Sequence, residues 1–406
     1  MSNKRKVLVS QITNKCSYGG GQKYRLKNSK VLFILGVLVG ILISVVGAYA
    51  AILVNSKDVT YDNSNSTLTS TNVQSALDEL YNKLPKTAVE KITKLYNNGT
   101  KTSVTTAGGE SITQVVDAGL MQDSFGNIRY YGANPNNYVT FNGESAGWRI
   151  IGVFDTEDEN GNVSKRVKLI RATSIGSYAY DNKPSGTGTS TSSYGSNDWT
   201  DARLMMLLNP GYENTSSLYA YEGSLYWNRK SGTCYAGSSE GTKSCDFTST
   251  GLTSQAKSQI EKVKYYLGGS SKYQGLYADD YYNFERGTTV YSGHKTTWNG
   301  YIGIMYPSDY AYATDLSVCT KNGYNYDGDK TNCGGKDWLL DTSSTTWSMS
   351  PYSGNADDAF YVLTSGFVTS THDVSNADGV RPVAYLKSNL QIVNGTGTQS
   401  DPYILE

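Results

Sequence analysis

An uninterrupted apolar stretch near the N-terminus is the strongest hydrophobic signal in the chain. It covers residues 31–54, VLFILGVLVGILISVVGAYAAILV, and contains no charged side chain. As a helix it would rise about 36 Å, more than the roughly 30 Å hydrocarbon core of a bilayer. Residues 1–30 contain eight lysines and arginines and no acidic residue, and such a flank stays in the cytoplasm. We therefore predict a cytoplasmic basic tail (1–30), a transmembrane signal anchor in the cell membrane (31–54) and an extracellular remainder.

A cleaved signal peptide is the alternative interpretation of this stretch. Ala48-Tyr49-Ala50 has the small-x-small form of a cleavage site, so cleavage would follow Ala50. The apolar region of a secretory signal usually spans only about 7 to 15 residues. The length of the stretch therefore favours an uncleaved anchor.

A polar segment and a short amphipathic helix are expected next. Thr71 and Gln74 match a capping box, and Pro85 would end the helix. Apolar residues alternate spacings of four and three, as in a coiled coil, at Val73, Leu77, Leu80 and Leu84. We predict that residues 55–115 form a linker and short coiled-coil stalk through which a homo-oligomer could form. The alternative is a helix packed on its own domain. A second short helix is predicted over Ala88–Tyr96.

From about Val116 onward the apolar pattern becomes that of strands. Alternating and β-branched residues predict strands at 138–141, 147–154 and 166–171, and again within 359–368 and 379–386. Helices are predicted at 197–209, capped by Asn197 or Asp198, and at 253–269, where Ala256, Ile260, Val263 and Leu267 would share one face. We therefore expect residues 116–406 to form an extracellular α+β domain of short twisted antiparallel strands, a few helices and long loops.

Composition narrows the classes of partner. The basic tail contributes +8 to a chain of net charge 0, so the remainder is acidic, which argues against nucleic acid as a partner. Tyrosine is unusually frequent, with 34 residues against 8 phenylalanines. Tyrosine rings suit interfaces and sugar faces because an apolar body carries a polar tip. The alternative is that these rings fill the interior of a loop-rich fold.

The cysteines beyond the anchor fall into two close pairs. Cys234 lies near Cys245, and Cys319 lies near Cys333. Four cysteines allow three connectivities, and we predict the two local disulfides because each would close a short polar loop. Zinc coordination would need closer Cys spacing or a neighbouring His, and neither is present.

A weak calcium site is the only metal candidate in the sequence. Asn325, Asp327 and Asp329 alternate along a loop between the second pair of cysteines, and such oxygens suit calcium. A sequence with this pattern more often forms a reverse turn. We therefore expect no obligatory cofactor and keep calcium as an alternative.

Catalytic motifs are missing from the sequence. His294 and His372 are the only histidines, and the chain contains no nucleophile elbow, no metal-ligand spacing and no phosphate-binding glycine loop. We interpret both histidines as surface residues and predict that the protein is not an enzyme, with no catalytic residue to name.

Five ordered stretches resemble a C-terminal module of uncharacterised surface proteins from gut-dwelling Gram-positive bacteria. They lie within residues 135–406 and read NYVTFNGESAGWRIIGVF, NDWTDARLMMLLN, GYIGIMYPSDYAYAT, DWLLDTSSTTWSMSPYS and GVRPVAYLKSNLQIVNGTGTQSDPYIL. More distantly, Gly379-Val380-Arg381 is similar to the G-F-R strand of formylglycine-generating and C-type-lectin-like folds. The resemblance implies a lectin-like α+β head. Some proteins with this module begin like pilins, but no Gly-Phe-Thr-Leu-Ile-Glu signature precedes the anchor here.

These features predict a cell-surface adhesin or receptor that binds a glycan or a surface protein. The aromatic-rich loops Tyr178–Trp199, Tyr219–Tyr235 and Tyr273–Trp298 are the expected binding region, although individual ligand-binding residues remain unknown. The alternatives are a structural envelope protein or, less favoured, an extracellular enzyme of formylglycine-generating-like fold. An adhesin should expose a cluster of aromatic rings, whereas a structural module should bury them.

Overall fold

The computed structural model describes residues 55–84, 86–184, 195–213, 223–237 and 240–406. The predicted tail and anchor, residues 1–30 and 31–54, lie outside the described residues. No helix within the described ranges combines the length and the apolar character that crossing a bilayer requires. The chain divides into two compact units, one ending at Lys83 and one running from Leu84 to Glu406.

The described part of the first unit is a loop followed by helix α1 (Val73–Lys83). The helix is confirmed, but its predicted cap is wrong. The side chain of Asn72, rather than Thr71, accepts a hydrogen bond from Ser75 N at 2.8 Å, because Gln74 is engaged by Ser56 at 2.7 Å. Glu79 accepts the backbone N–H groups of Thr69 and Ser70, which holds the loop on the helix.

The predicted oligomer seam is partly exposed. Leu77 is 45% exposed, Leu84 is 60% exposed, and Val73 and Leu80 are half-buried. Leu68 and Ala76 are the buried apolar residues of this unit within the described range. The helix therefore has an apolar face open to solvent, and self-association through it stays a prediction.

The second unit begins earlier than the sequence indicated. Helix α2 (Ala88–Asn98) starts with a capping box between Thr87 and Glu90 and buries Ile92 and Tyr96. Strands β2 (Lys101–Thr105) and β3 (Ser111–Val115) already belong to the main sheet. The boundary predicted after residue 115 is therefore too late, because the polar composition of this segment hid an exposed edge hairpin.

The described part of the second unit is a mixed α+β structure made mostly of strands. Its other helices are α3 (Arg203–Leu208), α4 (Leu225–Asn228), α5 (Ser254–Gln259), α6 (Ala278–Glu285) and α7 (Pro307–Ala311). Its strands, with β2 and β3, are β1 (Lys86–Thr87), β4 (Leu120–Gln122), β5 (Ile128–Tyr130), β6 (Tyr138–Phe141), β7 (Glu144–Glu157), β8 (Val163–Arg171), β9 (Ser177–Ala179), β10 (Ser231–Tyr235), β11 (Thr242–Asp246), β12 (Val263–Tyr266), β13 (Thr297–Gly300), β14 (Ile302–Ile304), β15 (Thr346–Pro351), β16 (Asp358–Val362), β17 (Val368–Asp373), β18 (Ala377–Gly379), β19 (Pro382–Tyr385), β20 (Gln391–Asn394) and β21 (Tyr403–Leu405).

Two sheets organise these strands. The larger runs β1-β20-β21-β6-β7-β5-β4-β3-β2, with β8 on β7, β19 on β8 and β14 on β19. The smaller runs β17-β16-β15-β18-β9. Most pairings are antiparallel, and β10-β11 and β12-β13 form separate two-stranded pairs.

The hairpin β7-β8 is the centre of the larger sheet. Ile150 lies opposite Leu169 and Val153 lies opposite Val167, with all four side chains buried. The turn between the two strands contains Asn160 and Gly161, and Gly161 has a φ of +83°, a value that glycine adopts without strain. The predicted strands at 138–141, 147–154 and 166–171 are confirmed.

One predicted helix is wrong over half its length. Thr253 caps α5 as predicted, but the helix ends at Gln259, and residues 263–266 form strand β12. Val263 and Tyr265 are buried, whereas Lys264 and Tyr266 are only partly so. The β-branched and aromatic residues alternate with a period of two, which the helical interpretation overlooked.

The predicted helix at 197–209 is confirmed in part. Asp198 caps a short 3-10 turn over Trp199–Asp201 by accepting Thr200 N at 3.0 Å, and α3 follows. Met205 and Met206 are buried, as expected of core residues.

Candidate functional site

Both predicted disulfides are present. Cys234 is bonded to Cys245, and Cys319 is bonded to Cys333. Such bonds are compatible with an extracellular location. The second disulfide closes a loop that contains Tyr324 and therefore restrains the site described next.

Burial of the aromatic rings counts against a broad open aromatic patch. More than half of the tyrosines in the described ranges are buried. Tyr178, Tyr180 and Trp199 from the first predicted loop belong to the core, as do Tyr226 and Tyr235 from the second. These two loops therefore use their described aromatic residues mainly for packing.

A smaller set of half-buried rings meets at the surface. Tyr273 comes from the third predicted loop, and its ring centroid lies 5.6 Å from that of Tyr324 and 6.4 Å from that of Tyr352. The ring of Phe367 lies 5.3 Å from that of Tyr324. All four rings are half-buried. We call Tyr273, Tyr324, Tyr352 and Phe367 the aromatic platform.

Separate parts of the chain hold this platform in place. Tyr352 follows β15 and forms a parallel bridge with Ser270, which brings the Tyr273 loop beside it. Tyr324 lies on the 3-10 segment Gly323–Asp329 inside the Cys319–Cys333 loop. Phe367 occupies the turn between β16 and β17. Loops fixed on a rigid scaffold are suited to recognition.

The platform is linked through its backbone to a strand that contains acidic residues. Tyr352 N donates to Asp358 O at 3.0 Å, and Asp358 faces Asp373 across β16 and β17. Burial, with the neighbouring carboxylates, raises the pKa of Asp358. Asn355 Nδ2 donates to the Asp358 carboxylate at 2.6 Å. Carboxylates beside aromatic rings can accept hydrogen bonds from hydroxyl groups of a ligand whose apolar face stacks on the rings.

His372 belongs to the same region and is half-buried, so its interpretation as a surface residue is only partly right. Its Nδ1 lies 2.7 Å from Asp378 Oδ2, and this hydrogen bond raises the pKa of His372. The imidazole packs on the ring of Tyr361 with centroids 4.7 Å apart. The hydrogen bond between His372 and Asp378 ties β17 to β18.

His294, the other histidine, is also half-buried. Its ring centroid lies 5.4 Å from that of Tyr291, and burial lowers its pKa. This residue lies in the third predicted loop, and no feature of the described structure assigns it a catalytic task.

Two of the three calcium candidates make local contacts. Asn325 donates to Asn322 at 3.2 Å, and Asp329 accepts the backbone and side chain of Asn332 at about 3.1 Å. Within the described ranges, no group of three or more His, Cys, Asp or Glu side chains could hold a metal ion. Calcium binding by Asn325, Asp327 and Asp329 stays a prediction.

A cluster of buried charges is the functional candidate that sequence reasoning missed. Lys168 Nζ lies 2.5 Å from Asp309 Oδ2, and Arg129 Nε lies 2.7 Å from Asp123 Oδ2. We call the set Asp123, Arg129, Lys168, Glu285 and Asp309, together with the half-buried Arg286, the buried ion cluster. Its residues are spread over residues 123–309, so no local motif announces it.

The chain has no match among family models, curated proteins or solved structures.

Proposed function

We propose that the chain is a membrane-anchored cell-surface protein whose lectin-like head binds carbohydrate through the aromatic platform. The observation that carries the proposal is the meeting of four half-buried rings from separate segments, with Tyr352 N hydrogen-bonded to Asp358 O. Sugar rings have apolar C–H faces that stack on aromatic side chains, and their hydroxyls seek carboxylates. The N-terminal anchor would hold this head outside the cell.

The test is binding of the purified full-length chain to a broad glycan and mucin array. We expect one glycan class to be bound equally by the wild type and by Phe125→Ala, an exposed ring outside the platform, and about fivefold more weakly by Tyr324→Ala. A blank array from a folded, disulfide-intact sample would contradict the proposal. Repeating the array with a chelator tests the calcium alternative, because a calcium-dependent site would lose its ligand.

A structural envelope role is the second candidate. The observation that favours it is the burial of more than half of the described tyrosines, which is expected of a packing module. Under this proposal the head would contact its own copies or the cell wall without a soluble ligand. A blank array together with retention of the protein in purified cell-wall fractions would support it.

Self-association through α1 is part of the same proposal. Leu77 and Tyr81, one turn apart, expose apolar surface on a unit whose described part, residues 55–83, has few buried apolar residues. Anchored copies would meet at high effective concentration. Sedimentation analysis of the full-length chain and of its Leu77→Glu variant tests this self-association. We expect the wild type to be an oligomer and the variant to be a monomer. A wild type that sediments as a monomer would contradict the proposal.

A further inference from the structure

We propose that Lys168 and Asp309 join through an intramolecular amide bond, formed with release of water. The two residues lie 141 positions apart in the chain, and Lys168 Nζ is 2.5 Å from Asp309 Oδ2. Each side chain is 1% exposed. The bond would link β8, at the centre of the larger sheet, to helix α7.

The surroundings exclude water from the reacting atoms. Lys168 Nζ lies 4.4 Å from the ring centroid of Tyr306 and 5.5 Å from those of Phe154 and Tyr385. A nearly inaccessible amine and carboxyl held in contact have a high effective concentration, and water that could hydrolyse the product is kept away.

The protonation states suit a nucleophilic amine. Burial lowers the pKa of Lys168 to about 8, so a neutral amine is accessible near physiological pH. Glu285 interacts electrostatically with both Lys168 and Asp309, and burial raises its pKa to about 6. The site therefore tolerates neutral forms of groups that are charged in water.

The reaction balances without any further reagent. Lys168 first passes one proton to Asp309 Oδ2, and its neutral Nζ then adds to Cγ, forming the C–N bond. The negative charge that develops on Oδ1 faces Arg129 Nη1, which lies 3.6 Å away and makes no hydrogen bond to any described group. A second proton moves from nitrogen to Oδ2, the C–Oδ2 bond breaks, and water leaves.

Charge balance within the buried ion cluster also favours the amide. The cluster contains three cations and three carboxylates, and burying ion pairs carries a desolvation cost. Amide formation removes one cation and one carboxylate. It leaves Arg129 paired with Asp123 at 2.7 Å and Arg286 paired with Glu285 at 3.0 Å. Each remaining charge in the cluster therefore keeps one counterion, although Arg129 loses its second contact, with Asp309.

Mass spectrometry of the full-length chain tests the bond directly. After reduction of the disulfides, the intact mass should be lower than the sequence mass by one water molecule. Tryptic digestion should give a branched peptide joining the Lys168 segment to the Asp309 segment. Lys168→Arg keeps the charge but cannot form the amide, so its mass should equal its own sequence mass. A wild-type chain of full mass with two linear peptides would overturn the proposal, as would water loss that persists in Lys168→Arg.

Discussion

The aromatic platform and the buried ion cluster both use tyrosine rings, but in opposite ways. On the platform, the rings of Tyr273, Tyr324 and Tyr352 are half-buried and contact one another near the surface. Around the cluster, Tyr306 and Tyr385 are buried and enclose a lysine. The same residue type is therefore proposed to serve recognition in one region, whereas it excludes water in the other. Tyrosine content alone could not tell these uses apart.

The largest expected effect comes from breaking the proposed amide. Lys168→Arg should lower the free energy of unfolding by about 5 kcal/mol, since a cross-link over more than 100 residues restricts the unfolded chain by about that amount. Asp309→Asn should retain the stability, because an asparagine side chain can give the same amide with release of ammonia. Thermal unfolding of the two variants checks this prediction. A stable Lys168→Arg beside an unstable Asp309→Asn would indicate a simple ion pair.

Removal of the second disulfide should affect the platform rather than the cluster. Replacing Cys319 and Cys333 by serine should cost about 3 kcal/mol of stability for a loop of this size. It should also weaken ligand binding, because Tyr324 lies in the loop. The matched control replaces Cys234 and Cys245. Denaturant unfolding and glycan binding of both double variants would distinguish them, and equal binding by the two would contradict the assigned role of Tyr324.

Single platform rings should contribute modestly to binding. Tyr273→Ala and Tyr352→Ala should each weaken binding of a glycan found on the array by about 1 kcal/mol, or roughly fivefold, as expected for one stacked ring. In both variants the intact mass should still lie one water molecule below the variant's own sequence mass. Calorimetric titration measures the affinities, and unchanged affinity in both variants would remove these rings from the site.

The smallest expected effect is a pH dependence at the edge of the platform. The hydrogen bond to Asp378 raises the pKa of His372 in the folded protein. Protonated His372 therefore stabilises the fold. This contribution is fully present below the histidine pKa of the unfolded chain, about 6.5, and is lost as the pH rises through the higher pKa of the folded state. The imidazole is partly exposed, so we expect less than about 1 kcal/mol. We would measure the free energy of unfolding of the wild type and of His372→Gln from about pH 5 to about pH 9, roughly the range in which histidine titrates. The two free energies should differ most at the acidic end. A difference that grows with pH would contradict this sign.

Local patterns allowed much of the fold to be predicted. The hairpin β7-β8, the helix after Thr87 and both disulfides follow from alternation, capping and short loop closure. Local patterns failed where one apolar run fits two periods, as at Val263–Tyr266. They also failed at the edge hairpin of β2 and β3, whose polar composition matched a linker.

The candidate sites were less accessible to sequence reasoning. The third predicted loop does supply Tyr273, but its partners Tyr324 and Tyr352 meet it only through the tertiary structure. Lys168 and Asp309 are separated by 141 residues, and a single sequence contains no signal that pairs them. Burial is also invisible in composition, so the abundance of tyrosine suggested a larger open patch than the described structure has.

Hydrogen exchange of the full-length chain, with and without a glycan identified on the array, tests the central claim most directly. We predict that the ligand slows exchange at residues 270–276, 323–329, 350–354 and 363–368, which hold the platform. Residues 166–171 and 306–311 around the buried ion cluster should exchange slowly in both samples and show no change. Protection confined to other segments would contradict the assignment of the aromatic platform as the binding face.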